Sequence, residues 1–396
     1  MDACETRCHN RRPISLPAAV PSQRCGFVLT LLFLSGGGHT GTNVMASLAA
    51  RRDGLRLVAT SDVPDEPALF AFDAVYLAPK IADDAPGFER RVLDIVAREA
   101  PDLVVPCRDE DVEWLAGLRD RRDDLRARLL CGARAVAAMA NDKWTSYQFA
   151  VEHALPFAPS LACTVDVGAR ARVEAFVAQH GLPLVAKPRR GVDSKGVVIV
   201  TTAAQALRAM HRHDHVLQGY LGDASDLDAY LREIEQDGIP LFHTFQGVKR
   251  SLQILIGPDG AVAHVVCTRN AVTARNARSI AIDDDDAARA IGERCAAVFA
   301  AAGWRGPLNV QCQPDRHGAL AIHEFNVRFT GATGARWHIG HDEIGAAVRV
   351  FAGHVIDARF PWRVAPRAAV EGLWPRAADP ASIRALAERG EWTRRV

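Results

Sequence analysis

The chain has no cysteine pair of the CxxC kind, no Walker-type GxxxxGK[ST] and no internal repeat or low-complexity tract. Each absence excludes something. Nine cysteines, scattered and odd in number, do not form a disulfide framework and suit a reducing cytoplasm. Cys4, Cys8 and His9 could begin a zinc site, but no second half with matching spacing follows. A net charge of +1 gives no bulk attraction to nucleic acid or an anionic membrane. No apolar run is long enough to span a bilayer. FVLTLLFL (27–34), preceded by Arg11, Arg12 and Arg24, imitates a signal peptide, yet no small-residue cleavage site follows. SGGGHTG comes instead, then a helix-patterned NVMASLAAR, as expected of a buried parallel strand, a tight turn and a helix.

At 396 residues the chain is too long for one small core. Residues 1–25 carry no periodic pattern and read as a loose extension, removable without loss of stability or ligand binding. Residues 26–140 alternate strand and helix: strands at 27–34, 55–61, 74–79, 102–107 and 128–132, helices at 88–100 and 112–118. That alternation predicts a doubly wound, Rossmann-like parallel sheet. The texture then changes. A helix from Asn141 or Asp142, a hairpin from LPLVAKP (182–188) to VVIVTT (197–202), and HVLQGYL (215–221) mark a small α+β lobe over 141–215. A large lobe over 216–365 holds a polar insertion (222–248) and a hairpin turning at Asp259-Gly260. It also holds a helix opened by four aspartates and two strands, GPLNVQCQPD (306–315) and ALAIHEFNVRF (319–329). A capped, acidic helix start explains the aspartates without chemistry. Residues 366–396 read as a C-terminal tail.

HEFNVRF (323–329) alternates strictly, placing Glu324, Asn326 and Arg328 on one strand face. If the preceding strand pairs back through Arg316–Gly318, Gln311 lies near Glu324 and Asn326. One carboxylate and two amide oxygens in one patch suit Mg²⁺ or Mn²⁺ shared with substrate phosphates. Lys187 ends an apolar strand, where an unpaired charge is costly. With Lys143 and the loop RRGVDSKG (189–196) it offers cationic and backbone contacts to phosphates.

These stretches, with PDLVVPCRDEDVEWLA, NDKWTSYQF and LVAKPRRGVDSKGVVIV, resemble the ATP-grasp superfamily, closest to its carbamoyl-phosphate-synthetase-like branch, over about residues 27–345. The resemblance implies a Rossmann-like pre-ATP-grasp domain followed by a two-lobed ATP-grasp fold. It implies ATP phosphates held by Lys143 and Lys187 under a loop containing Arg190, Gly191, Ser194 and Gly196. Adenine would meet Gln218, Gly219 and Leu221, metals would sit on Gln311, Glu324 and Asn326, and Arg328 with Lys187 would serve the transferring phosphoryl group. Where relatives carry an acidic residue for the ribose, this chain reads RSLQIL, with Ser251 or Gln253. The function implied is a cytoplasmic ATP- and Mg²⁺-dependent ligase joining a small carboxylic acid to an amine through an acyl phosphate. Neither nucleic acid nor membrane is implied as a partner, and the oligomeric state, a homodimer included, is left open. Arg275 and Arg278 could meet an anionic substrate, and His338 and His341 are the nearest imidazoles. Two alternatives stand beside this reading: a non-catalytic nucleotide-binding protein of the same fold, and an NAD-dependent oxidoreductase using GGGHTG (36–41) with Asp62 on a ribose.

Overall fold

The computed structural model describes residues 29–191, 194–238, 247–272, 278–357, 368–371 and 377–394. The expected N-terminal extension, with Cys4, Cys8 and His9, lies outside them, as do Arg275 and the side chain of Arg278.

Leu29–Leu34 (β1), Leu55–Ser61 (β2), Ala74–Leu77 (β3) and Leu103–Pro106 (β4) form a parallel sheet in the order β3-β2-β1-β4. Every residue of β1 is buried, because helices cover both faces of a parallel sheet. Those helices are His39–Leu48 (α1), Ala85–Glu99 (α2), Asp109–Arg121 (α3) and Arg134–Ala140 (α4). The strand expected at 128–132 reduces to a single bridge between Leu129 and Val104. The chain peels away there because Gly132 passes hard against the large lobe. A side-chain carbon on Gly132 would lie 2.3 Å from the backbone nitrogen of Arg305 and 2.5 Å from the Cα of Trp304. Gly132→Ala should therefore lower stability by about 1–3 kcal/mol, the usual cost of overpacking. A melting temperature equal to that of the native chain would show that this seam yields freely.

The small lobe comprises Lys143–Glu152 (α5), Ser160–Ala162 (β5), Ala169–His180 (α6), Leu184–Pro188 (β6), Val198–Val200 (β7), Ala203–Ala209 (α7) and His215–Gly219 (β8). Its antiparallel sheet runs β5-β8-β6-β7. β8 straddles residue 215, where the two lobes were expected to divide. Asp142 caps α5, accepting from the backbone of Trp144 and Thr145, as the sequence pattern suggested.

The large lobe contains Ser225–Asp237 (α8), Lys249–Ile256 (β9), Val262–Val272 (β10), Arg278–Ile282 (β11), Asp286–Ala301 (α9), Gly306–Pro314 (β12), Leu320–Asn326 (β13), Thr333–His338 (α10), Glu343–Ala352 (α11) and Ala368–Glu371 (β14). Its six strands are antiparallel, in the order β13-β12-β9-β10-β11-β14. Part of the polar insertion is thus the helix α8. The aspartate run does what an acidic helix start does: Asp285 caps α9, and Arg250 pairs with Asp283 and Asp285. Pro380–Arg389 (α12) and Glu391–Thr393 (β15) follow, and β15 adds antiparallel to β3. Residues 366–396 therefore contribute a strand to each of two sheets. Among the described residues no helix is long and apolar enough to cross a membrane.

Candidate active site

A cavity of ≈ 1920 Å³ is lined by strands of the small-lobe and large-lobe sheets and by helices and loops of the first domain. That exceeds a usual small-molecule site of roughly 300–1,000 Å³ and leaves room for two substrates side by side. Of the residues singled out in the sequence, Lys143, Lys187, Arg190, Gly191, Ser194, Gln218, Gly219, Leu221, Gln311, Glu324, Asn326 and Arg328 line it, and Gly196 does not.

The pairing of β12 with β13 places Gln311 opposite Glu324 and Asn309 opposite Asn326. The register then slips, so Cys312 pairs with Ile322 and His323 is left over as a bulge. A bulged residue drops out of the ladder and re-aims its groups. The carbonyl of His323 accepts a hydrogen bond from Lys187 Nζ at 3.0 Å. Lys187 is buried, and burial pulls its ammonium down to about 7 while Glu324 opposes the shift and Lys143 and Lys249 add to it. The cleft thus holds a cation short of negative partners. Lys143, the first residue of α5, lies 3.6 Å from Glu324 Oε1 and 3.4 Å from the carbonyl of Gly191. Asp142 beside it takes the Arg189 guanidinium, which fixes the start of the loop that follows β6.

Further polar groups extend the face of Gln311, Glu324 and Asn326. Asn309 is fully buried and donates to Ser251 Oγ and Gln253 Oε1. Its Oδ1, and Nδ2 of Asn326 across the strand pair, have no partner. Among the described residues no three His, Cys, Asp or Glu side chains cluster as a metal site. A divalent ion here would rest on Glu324, two amide oxygens and its substrate's phosphates, which is how Mg²⁺ is usually held. The donor set fits it: hard oxygens, one charge, and an edge open to the cleft.

Arg328 lines the cleft but does not reach into it unpaired. Its Nε and Nη2 fork onto Asp109 at 2.6 and 3.2 Å, tying the end of β13 to the head of α3. Arg190 likewise reaches the first domain, at Glu113 on α3 (2.8 Å). Gln218 is turned into the small sheet, donating to Ser160 Oγ. Gly219 closes the register with Leu184, and Tyr220 and Leu221 follow beyond it. Ser251 lines the cleft, whereas Gln253 is interior, accepting from Asn309 and Arg336. His338 and His341 are not on the cleft; His341 packs edge-on against His264, and burial pushes it down to about 4.

Lys249 and Asn270 were not singled out in the sequence. They face each other across β9 and β10 on the cleft wall. Lys249 opens β9 just ahead of the apolar run SLQILI that marks the strand. His39, at the start of α1, also lines the cleft, its ring against Gly331.

The glycine-rich turn is closed to a dinucleotide. Glu66 lies over Gly37, so close that a side-chain carbon there would meet its carboxylate, where a pyrophosphate would have to sit. Asp62, the ribose candidate, is taken by Arg108 at 2.9 Å.

No protein-family model matches the chain. The vancomycin C-type resistance protein VanC2 of Enterococcus casseliflavus is 31% identical over 80 residues, 20% of this chain, and the chain spans only 23% of that relative's length. Among solved structures, N5-carboxyaminoimidazole synthetase from Staphylococcus aureus superposes with a TM-score of 0.59 at 12% identity, covering 85% of this chain and 80% of that one. Biotin carboxylase from Campylobacter jejuni, in a β,γ-ATP complex, gives 0.58 at 14% identity, covering 83% and 72%. The biotin carboxylase domain of 2-oxoglutarate carboxylase from Hydrogenobacter thermophilus, solved with MgADP and bicarbonate, gives 0.56 at 14%, covering 82% and 70%. The fold of this chain is the ATP-grasp fold.

Proposed function

We propose that the protein is an ATP- and Mg²⁺-dependent ligase that activates a small carboxylic acid as its acyl phosphate and passes the acyl group to an amine. The observation that carries this reading is one convergence. The under-paired Lys187 ammonium, Lys143 and the Glu324–Gln311 face meet in a cleft large enough for a nucleotide and a second substrate. A buried cation with one carbonyl partner is stable only if an anion joins it, and a triphosphate supplies that anion. Lys187 and Lys143 hold the phosphates, with the backbone and Arg190 of the adjoining loop. Glu324, Gln311 and Asn326 would hold Mg²⁺, which would supply charge neutralisation to the phosphates. A carboxylate oxygen attacks the γ-phosphorus, and the bond to the β–γ bridging oxygen breaks, releasing ADP. The amine attacks the acyl carbon, and phosphate leaves as the amine proton passes to water. The chain's contribution is positioning and charge stabilisation. Arg328 acts from its ion pair with Asp109, which sets its guanidinium where the first domain meets the large lobe.

The acid and amine are small molecules. The free, buried thiols of Cys107, Cys131, Cys163, Cys267, Cys295 and Cys312 suit work in a reducing cytoplasm. A screen of carboxylic acids and amines for substrate-dependent ADP release tests the reading. ADP and phosphate are the expected products, and hydroxylamine in place of the amine should trap the acyl group as a hydroxamate. Release of AMP and pyrophosphate would overturn the mechanism, and ATP binding without turnover for any acid would make this a nucleotide-binding protein.

A further inference from the structure

The cleft continues past the phosphate site into a groove between α2 and α3, and that groove has its own chemistry. Trp114, Gly117 and Arg121 all line it; their spacing of three and four residues puts them on one side of α3. A point one bond out from the Gly117 Cα is 3.5 Å from Arg121 Nη1 and 3.6 Å from Arg134 Nε, so two guanidinium groups converge over bare backbone. Glu89 pairs with Arg121 at 2.7 Å. Arg134, and Arg90 on the α2 wall, have no carboxylate partner among the described residues. Like charges gathered with a single counter-charge favour an anion between them, and arginine forks suit carboxylate or phosphate oxygens. The wall also carries Pro86, Leu93 and the Trp114 ring, whose buried indole N–H has no acceptor, while Glu110 and Glu113, nearer the head of α3, are taken by Arg108 and Arg190.

We infer that one co-substrate is elongated and carries a second anionic group at its far end, bound by Arg90, Arg121 and Arg134 over Gly117, with its apolar middle against Pro86, Leu93 and Trp114. This rests on the ligase reading of the cleft and names its substrate class. The helix sets the length. Asp109, which holds Arg328, is eight residues before Gly117, about 12 Å along the axis. Three to four extended peptide residues, or a chain of equal reach, cover roughly that distance. A carboxylate and a phosphate end present the same oxygens to the arginines, and the experiment separates them.

The probes are straight-chain α,ω-dicarboxylates of graded length, their monomethyl esters, and ω-phosphono acids of the same lengths. Binding is measured by calorimetry with ADP and Mg²⁺ present, alongside ADP release from ATP. The diacid should bind at least about tenfold tighter than its ester, with an optimum where its ends are about 12 Å apart. The phosphono series reports which anion is preferred. Arg134→Ala with Arg90→Ala should erase the difference between acid and ester. Gly117→Leu should fill the floor of the groove and do the same. The space around Gly117 accepts a side-chain carbon at ordinary contact distances, so Gly117→Ala should melt no lower than the native chain, and a melting curve of Gly117→Leu shows whether its longer side chain is accommodated without unfolding. Equal binding of acid and ester, or a difference that survives both sets of variants, would overturn the inference. ATP titrations on the same samples report the nucleotide site separately. Tight diacid binding with no ADP release would instead sink the ligase reading and leave the groove as assigned.

Discussion

Glu324→Ala should lower kcat at least about 100-fold, on the order of 3 kcal/mol of transition-state stabilisation, while the protein remains folded. Glu324 is the only carboxylate on the proposed metal face and also the group that supports the charge on Lys187. Its side chain is 28% exposed and its partner is a lysine at 3.6 Å, so its removal costs little stability. Glu324→Gln keeps the shape and one oxygen donor but not the charge, and it should fall between the two. Steady-state kinetics beside a melting curve checks this. A folded Glu324→Ala enzyme with near-native turnover would remove the β12–β13 face from the mechanism.

Lys187→Met should separate stability from function. A buried ammonium with one carbonyl partner is replaced by an apolar chain of similar length, so the variant should be at least as stable as the native protein. ATP binding should weaken at least about 100-fold, since a charged hydrogen bond to phosphate is lost from a site that excludes water. The pH dependence follows with a definite sign. Lys187 titrates near 7 in the folded chain against 10.5 for a free lysine. Between those values the unfolded chain binds more protons, so this group makes stability rise with pH across that window. Phosphates restore the proton, so ATP binding takes one up above pH 7 and weakens by up to about tenfold per pH unit there. Calorimetry in buffers of different ionisation heat reads the uptake directly. Uptake that persists in Lys187→Met would assign it to another group.

The site was legible where it is written locally. The alternation in HEFNVRF, with a turn at Arg316–Gly318, was enough to bring Gln311 near Glu324 and Asn326, and the strand pairing sets it opposite Glu324. Lys187 was visible because a lysine closing an apolar strand needs a reason. The α/β alternation of the first domain was read almost strand for strand, since fully covered parallel strands are continuous apolar runs. What escaped depends on contacts distant in sequence. The strand expected at 128–132 is cut short by the backbone of Trp304 and Arg305. The bulge at His323 is invisible because the strict alternation runs on past it. Asp109 lies just ahead of the helix expected at 112–118, and its role as the seat of Arg328 exists only once the first domain and the large lobe meet. The tail supplies β14 and β15, each too short to show a period of its own.

Transfer of oxygen isotope tests the central claim most directly. A substrate acid labelled with ¹⁸O in its carboxylate is turned over with unlabelled ATP, and the released phosphate is analysed by mass. If the carboxylate attacks the γ-phosphorus, one labelled oxygen leaves with phosphate in every turnover, and ADP is the only nucleotide product. Unlabelled phosphate, or label recovered in AMP, would contradict acyl-phosphate chemistry at the site formed by Lys143, Lys187, Gln311, Glu324 and Asn326.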